Sequence, residues 1–494
     1  MLFDLYPVNP AGGEIMGLPA FKDVTAIEAD IDLAVIIIPA VAVLEAVKSC
    51  ADRGAKFAAI ITSGFSEIGN AEAERAMVRY ANSHGMRILG PNIIGIYSAS
   101  VLMNATFGPG GIPSGNVAIV TQSGALGVAM IGKTKVENIG LSAIVSTGNK
   151  ADVDEVEILN YLAVDANTRV VLMYIEGVTH GEKLVEVLSA ITRMKPVVVV
   201  KAGRSKRGAM AAASHTGSLA GEDKVFDDIA RQCGVIRAEG LQEALEWCKF
   251  LASVPGPAGE NAVIITNGGG IGVMTADACE RYGINLYDNL PDLKKTFAAV
   301  VPEFGSTKNP VDMTGQATAE HYVTAIGAAL QNENINSVIC LGCEAGSFEP
   351  DKFAPGAGDL FAPGRLPKPL VFTFVGGAAV EDTIRKLKVK GVPVFNEVLQ
   401  AVSCLGAIYD NYRYKIAAVD APVPVEIDEK AIAAVLEKAK KEGRHLLYSF
   451  EGQQIMDAVG IANPRSNIAR SLEEAIGFAG DIGYPVVKIG RAHV

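Results

Sequence analysis

Apolar and polar positions follow two alternating periods along most of this chain. Short aliphatic runs, each closed by a turn, precede stretches in which apolar residues recur every three to four positions. That alternation predicts βα units and parallel sheets. A first block has strands at Leu33–Ile38, Phe57–Thr62 and Arg87–Leu89, ending in the turns Pro39-Ala40, Ser63-Gly64 and Gly90-Pro91-Asn92. Gly108–Gly115 reads as a linker. A second block, to about Ala252, has strands near Val117–Thr121, Ser142–Ser146, Val170–Ile175 and Val197–Lys201. After the linker Ser253–Gly259, a third block has strands near Ala262–Thr266, Ser337–Leu341, Leu370–Phe374 and Val392–Phe395. The Pro-rich stretch Ala421–Val425 leads into a charged, helical segment. The expected fold is α/β, with three consecutive doubly wound, Rossmann- or flavodoxin-like parallel-sheet domains.

Composition supports this and narrows the partners. Of 494 residues, 49% are hydrophobic and only 6% aromatic, with 52 glycines, the balance of strands buried on both faces. A net charge of −11 without any Lys/Arg block argues against nucleic acid. No apolar run approaches the roughly 18 residues of a membrane span, so no membrane partner is expected. Seven scattered cysteines, an odd number, read as reduced thiols and predict a cytoplasmic protein. Cys340 and Cys343 form a solitary CxxC with no second pair, read as two ordinary semi-buried thiols.

The second and third blocks open alike. Gly115–Met130 aligns without gaps to Glu260–Thr275, and six of the sixteen positions are identical, among them Thr121/Thr266, Gly124/Gly269 and Gly127/Gly272. Each copy is a buried strand, a polar glycine-bearing turn and a helix. Such a turn directs unpaired N–H groups and the positive end of the helix dipole outward, a site suited to phosphate. Gln122, Ser123 and Gly124 form the first candidate phosphate-binding turn, and Asn267, Gly268 and Gly269 the second. Common ancestry and convergence on a good strand–turn–helix both fit the repeat.

One histidine, His215, sits in the small-residue run Gly208–Gly221, GAMAAASHTGSLAG. This pattern predicts a loop carrying a nucleophilic imidazole, although on its own it equally describes a solvated loop histidine. A phosphorylated imidazole would need its second ring nitrogen held by a carboxylate or carbonyl. Glu176, ending the run VVLMYIEG, stands at the carboxyl edge of the sheet where such sites collect. The alternative is a surface glutamate that begins a loop.

With these residues in place, the chain resembles the ADP-forming acyl-CoA synthetases, relatives of succinyl-CoA synthetase. YPVNPAGGEIMGLPAF, LAVIIIPA, ITSGFSE and GPNIIGI are similar to the family's CoA-binding domain. TQSGALG, STGNKADVDE, YIEG and ASHTGSLAG resemble its second domain, and TNGGGIGV and NPVDMTG its third. The resemblance implies a CoA-binding domain over residues 1–110 and flavodoxin-like domains over 115–252 and 260–412. An ATP-grasp domain would open over 428–488. It implies that His215 is the phosphorylated catalytic residue and that Glu176 holds it. Asn9, Pro10, Ile38, Pro39, Ser63, Gly64, Pro91 and Asn92 would contribute to a CoA pocket.

The implied reaction interconverts acyl-CoA, ADP and phosphate with acid, CoA and ATP. It passes through an acyl phosphate and the phosphohistidine. CoA or acyl-CoA, ATP or ADP, and Mg2+ are the implied cofactors, the nucleotide and metal through the ATP-grasp part, and no metal site is expected elsewhere. A homo-oligomer is the expected assembly.

Two departures from the family pattern set further expectations. The chain begins almost at YPVNP, without the preceding strand, Gly-rich turn and helix, and only the opening of the ATP-grasp domain is recognisable, with GYPVVK near its first strand. KIGRAHV matches the in-frame translation of a common sequencing adaptor, so 489–494 is expected to be a non-native tail and the chain a fragment truncated at both ends. The rival functions are the CoA-binding regulatory module of a protein lysine acetyltransferase and a non-catalytic CoA sensor. The intact SHTG and both phosphate turns argue against both. No GxGxxG follows the first strands, which argues against an NAD-dependent enzyme.

Overall fold

The computed structural model describes residues 4–216, 222–344, 350–361, 365–418 and 426–490, without the side chains of 213–216, 350 and 351. The chain divides into two compact units, Met1–Ala417 and Ala418–Val494.

In the first unit, β1 (Leu33–Ile36), β2 (Phe57–Ile60) and β3 (Arg87–Leu89) form a parallel sheet in that order. Helices Ala40–Asp52 and Ala71–Ser83 follow the first two strands. A hairpin, β4 (Gly95–Ser98) and β5 (Met103–Thr106), then leaves this sheet and pairs antiparallel onto the next one. The stretch before the linker at 108–115 therefore supplies two strands to the second block's sheet.

That second sheet also contains β6 (Ser114–Thr121), β7 (Leu141–Ser146), β8 (Val170–Ile175), β9 (Val197–Lys201) and β10 (Ile236–Arg237). Its order is β10-β9-β8-β6-β7-β4-β5, parallel except at the hairpin. Val170, Val171 and Leu172 of β8 and Val197, Val198 and Val199 of β9 are fully buried because helices cover both faces. The third sheet, β11 (Ala262–Thr266), β12 (Val311–Asp312), β13 (Ser337–Cys343), β14 (Leu370–Val375) and β15 (Val394–Phe395), is parallel in the order β12-β11-β13-β14-β15. The doubly wound α/β fold is as expected.

One continuous core joins the second and third blocks. Helices Leu241–Ser253 and Val398–Ile416 pack against each other, and the buried Trp247 Nε1 donates to Ser403 Oγ at 3.1 Å. Each large apolar side chain buried there contributes roughly 1.5–3 kcal/mol, so the two blocks do not behave as separable modules. Leu126 and Val128, early in helix Gly124–Val136, pack on this core. So do Ile271 and Ala276 of helix Gly269–Arg281.

The second unit contains helices Glu429–Lys441, Ser449–Ala458 and Leu472–Ile482. The GYPVVK segment, expected near a strand, is in no strand. Among the described residues no neighbouring strand pairs with it, and an isolated apolar run has nothing to hydrogen-bond against. No helix among the described residues is long and apolar enough to cross a membrane.

Candidate active site

The predicted residues of the first two sheets gather at the carboxyl ends of their strands. In the first sheet, Thr62 Oγ1 donates to Ile38 O at 2.7 Å and Asn92 N donates to Thr62 O at 3.0 Å, which ties together the turns after β1, β2 and β3. Ile38, Pro39 and Ser63 are exposed there, whereas Pro91 is buried. The Gly64 N–H is spent on the Glu67 carboxylate, which also accepts from Phe65 N at 3.1 Å. Asn9 and Pro10 lie in an exposed turn closed on itself, where Asn9 Oδ1 accepts from Ala11 N at 2.9 Å.

The second block is latched onto these turns by residues that the pattern of strands did not single out. Asn149 Nδ2 donates to Glu67 Oε2 at 2.6 Å and Glu74 Oε2 at 2.9 Å, while its N–H reaches Pro91 O at 3.0 Å. Gly148, at φ +55°, lies so close that an added Cβ would fall 2.2 Å from Pro91 O. Arg87 pairs with Asp152 at 2.9 Å and with Glu157 at 2.9 Å. Only the motif STGNKADVDE marked this stretch in advance.

The two glycine-bearing turns share one internal construction. Thr121 Oγ1 donates to Ser123 O at 2.9 Å and accepts from Ser123 N at 3.2 Å, and Thr266 Oγ1 repeats both bonds with Gly268 at 3.0 Å. The Ser123 and Gly268 amides are therefore spent, which corrects the expectation that they face an anion. Ser123 Oγ accepts from Leu126 N as the helix cap rather than pointing out as a donor. The matched Gly127 and Gly272 have a packing reason. A Cβ on Gly127 would meet Thr121 Cγ2 at 3.1 Å and Ile94 Cδ1 at 2.7 Å, and one on Gly272 would meet Thr266 Cγ2 at 3.2 Å. The donors left for an anion are those at Gly124-Ala125 and Gly269-Gly270, where the helix dipole also points.

The two turns are not alike outside this construction. Asp312 Oδ2 lies 3.5 Å from where a Cβ on Gly269 would stand, so the second helix start already has a carboxylate beside it. Asp312 Oδ1 accepts from the N–H of Thr314, a β-branched residue held at φ +65°. Such a conformation costs about 1–3 kcal/mol and persists only where its surroundings impose it.

Glu176 is 5% exposed at the end of β8 and is no surface loop residue. Tyr174 Oη donates to its Oε1 at 3.2 Å. Burial, and then the Glu176 charge, push the Tyr174 phenol well above its usual value, so it stays a donor. The neighbouring strand β9 runs parallel in register, with Ile175 opposite Lys201, and feeds the helix Lys206–Thr216 that contains His215. This region was expected to be a loop. The run AMAAAS instead takes the conformation alanine favours most. The helix lies against the turn Ser66–Ile68 of the first block. The His215 side chain and residues 217–221 of its motif lie outside the described residues.

Cys340 and Cys343 lie on one strand three residues apart, so they face opposite sides of the sheet, which suits neither a disulfide nor a shared metal. Burial raises both thiols.

Family models match in the order of these blocks. A CoA binding domain matches residues 2–99, a succinyl-CoA ligase like flavodoxin domain 114–251, a ligase-CoA domain 262–419, and an ATP-grasp domain 438–493. The alpha subunit of acetate–CoA ligase (ADP-forming) I from Pyrococcus furiosus is 45% identical over 417 residues, which cover 83% of this chain and 90% of that one. The chain belongs to the ADP-forming acyl-CoA synthetases. These enzymes are acid–thiol ligases. The Archaeoglobus fulgidus acetate–CoA ligase (ADP-forming) I is 36% identical over 98% of this chain and 69% of its own. Among solved structures, acetyl-coenzyme A synthetase 1 of Ca. Korarchaeum cryptofilum, in complex with phosphate and ADP, superposes with a TM-score of 0.81. The match is 40% identical and covers 84% of this chain and 91% of that one. The resemblance read from the motifs of this synthetase family is thus borne out.

Proposed function

We propose that this chain carries out the acyl-transfer and phosphoryl-transfer steps of an ADP-forming acyl-CoA synthetase through His215. Inorganic phosphate attacks the thioester carbonyl, the C–S bond breaks, and CoA leaves as acyl phosphate forms. An imidazole nitrogen of His215 then attacks phosphorus, the P–O bond to the acyl group breaks, and the acid leaves as carboxylate. Transfer to a nucleoside diphosphate regenerates the histidine, and every step runs in reverse.

The observation that carries this reading is the adjacency of β8 and β9. One strand ends in the buried Glu176, and its in-register neighbour feeds the helix containing His215. A carboxylate beside a phosphorylated imidazole fixes its tautomer and balances its charge. That the same helix lies against the Ser66–Ile68 turn supports exchange with a CoA ester held at the turns after β1, β2 and β3. The free amides at Gly124-Ala125 suit the phosphoryl group. The turn at Gly269-Gly270 would hold it next to Asp312, so we assign it the weaker hold.

Glu176 is a positioning group for the histidine. Gln122 and Asn267 are structural members of their turns. The nucleotide and Mg2+ belong to the ATP-grasp part. Seven free thiols support a cytoplasmic location.

The test is incubation with acetyl-CoA and radiolabelled phosphate. Acid-labile, base-stable label should appear on the protein and be lost in His215→Ala. Label that persists in that variant sinks the assignment.

A further inference from the structure

Every backbone polar group of Glu176 and Gly177 is taken by a buried side chain. Gln122 Oε1 accepts from Glu176 N at 2.9 Å and from Gly177 N at 3.2 Å. Lys201 Nζ donates to Glu176 O at 2.9 Å, and Lys150 Nζ donates to Gly177 O at 2.5 Å. Two ammonium groups thus grip successive carbonyls of one turn.

Neither lysine is in an inexpensive place. The Lys150 side chain is 4% exposed, its backbone sits at φ +56°, and its partner Glu155 is also 4% exposed. Lys201 is 4% exposed, and among the described residues no carboxylate forms an ion pair with it. Its remaining contacts are Ala202 O at 2.5 Å and the ring of Phe226 at 5.8 Å. Burying an ammonium costs several kcal/mol even when it is well paired, and carbonyls alone are a neutral ligand set. A chain that needed only to satisfy two carbonyls could use a neutral donor.

The same lysine reaches the base of the histidine segment. Phe226 belongs to helix Asp223–Gln232, which follows residues 217–221. Arg237 stacks over the same ring at 5.5 Å and pairs with Asp227 at 3.1 Å and with Asp223. The strand that enters the histidine segment and the helix that leaves it are therefore fixed at the cluster that also holds the Glu176 carbonyl.

We infer that Lys150 and Lys201 are positioning residues for phosphoryl transfer: together they lock the Glu176 turn, and Lys201 sets it in register with the segment containing His215. Lys150 is charge-paired with Glu155, so among the described residues the unpaired positive charge at this turn is that of Lys201, held on the Glu176 carbonyl. This inference rests on the proposed phosphohistidine, and the test separates the two.

The full chain is incubated with radiolabelled acetyl phosphate, a direct donor that bypasses CoA. Wild-type label that disappears in His215→Ala establishes the acceptor; its absence overturns both readings. With the acceptor established, Lys150→Met and Lys201→Met should each lower the maximal rate of labelling about ten- to a hundredfold, while half-saturation by acetyl phosphate stays within about twofold. In a Glu176→Gln background, the same changes should cost less than about threefold, because the residue they position has already lost its charge. A full multiplicative loss in that background, or unchanged rates in both single variants, overturns the inference and leaves the phosphohistidine standing. Melting curves accompany each variant, and Lys150→Met carries the test alone if Lys201→Met does not fold.

Discussion

The side-chain oxygen of Gln122 lies 2.9 Å from the backbone N of Glu176 and carries the end of one strand across to the turn of the next. The third block uses the same device. There Asn267 Oδ1 accepts from Cys343 N at 2.8 Å, and Asn267 Nδ2 donates to Cys343 O at 3.0 Å. Both amides are buried, at 8% and 3% exposure, so they act inside the sheet edge rather than toward an anion.

This gives the first prediction. Gln122→Glu keeps an acceptor for both N–H groups but buries a carboxylate beside Glu176, so it should cost about 1–3 kcal/mol, a melting-temperature fall of roughly 1–4 °C for a unit of this size. The added charge lies on the backbone of the Glu176 turn, where it opposes the carboxylate proposed to hold His215, and labelling of His215 should fall at least tenfold. Gln122→Leu, which leaves two buried N–H groups unpaired, should lose about 2–4 kcal/mol of stability as well. Equal labelling by wild type and Gln122→Glu would place the phosphoryl group elsewhere.

The repeat was legible in the sequence because both copies need the same backbone. What was not legible is which atoms face outward. Thr121 and Thr266 consume the amides that a strand–turn–helix pattern assigns to phosphate, and that depends on a hydroxyl rotamer no pattern records. The helix at His215 was missed for a related reason. Small residues were read as a loop, yet alanine is the best helix former. Lys150 and Lys201 could not be found at all by periodicity. Lys201 ends an aliphatic strand and Lys150 follows a turn, and their common target, residues 176–177, is distant from both in sequence.

Gly148 supplies a second prediction. An alanine there would place Cβ 2.2 Å from Pro91 O and 2.6 Å from Asn92 O, both backbone atoms that no rotamer change can move. The left-handed φ adds about 1 kcal/mol for any residue with a Cβ. Gly148→Ala should lose about 3 kcal/mol or more, and limited proteolysis should open the chain near 90–92 first. Wild-type stability and cleavage would mean the two turns are not in contact.

Asn149 joins Glu67 and Glu74 of the first block to the second, and its loss should depend on pH. Burial on its own would raise the Glu67 carboxyl, but hydrogen bonds from Gly64, Asn149 and Phe65 outweigh it and hold the group below its ordinary value of 4.5. A depressed folded value contributes stability that is present above about 4.5 and is lost as pH falls through the folded value. Asn149→Leu removes one of those bonds and leaves two carboxylates facing each other. It should cost about 1–3 kcal/mol at pH 7, and the gap from wild type should narrow below about pH 4.5. A gap independent of pH would assign the loss to packing alone.

Lys249 provides the last prediction, on the face where the second and third blocks share their core. Its Nζ donates to Glu137 O at 2.6 Å. Burial pulls this ammonium down from 10.5 to about 8, with Glu137 and Glu246 only partly opposing the change. The sign follows from proton counts. Between about pH 8 and 10.5 the unfolded chain holds the Lys249 proton and the folded chain does not, so this group makes folding more favourable as pH rises through that window. Below about 8 both states are protonated and the folded state bears the full desolvation cost. A tenfold loss of proton affinity corresponds to about 1.4 kcal/mol; with screening at a half-buried site, the expected total is about 1–3 kcal/mol. Lys249→Met removes the titration while keeping most of the side-chain volume. The variant should be more stable than wild type at pH 7, less the hydrogen bond to Glu137, and that advantage should shrink steadily between pH 8 and 10. Chemical denaturation of both proteins across that range measures it. Parallel stability profiles from pH 7 to 10 would mean the ammonium stays solvated in the folded state.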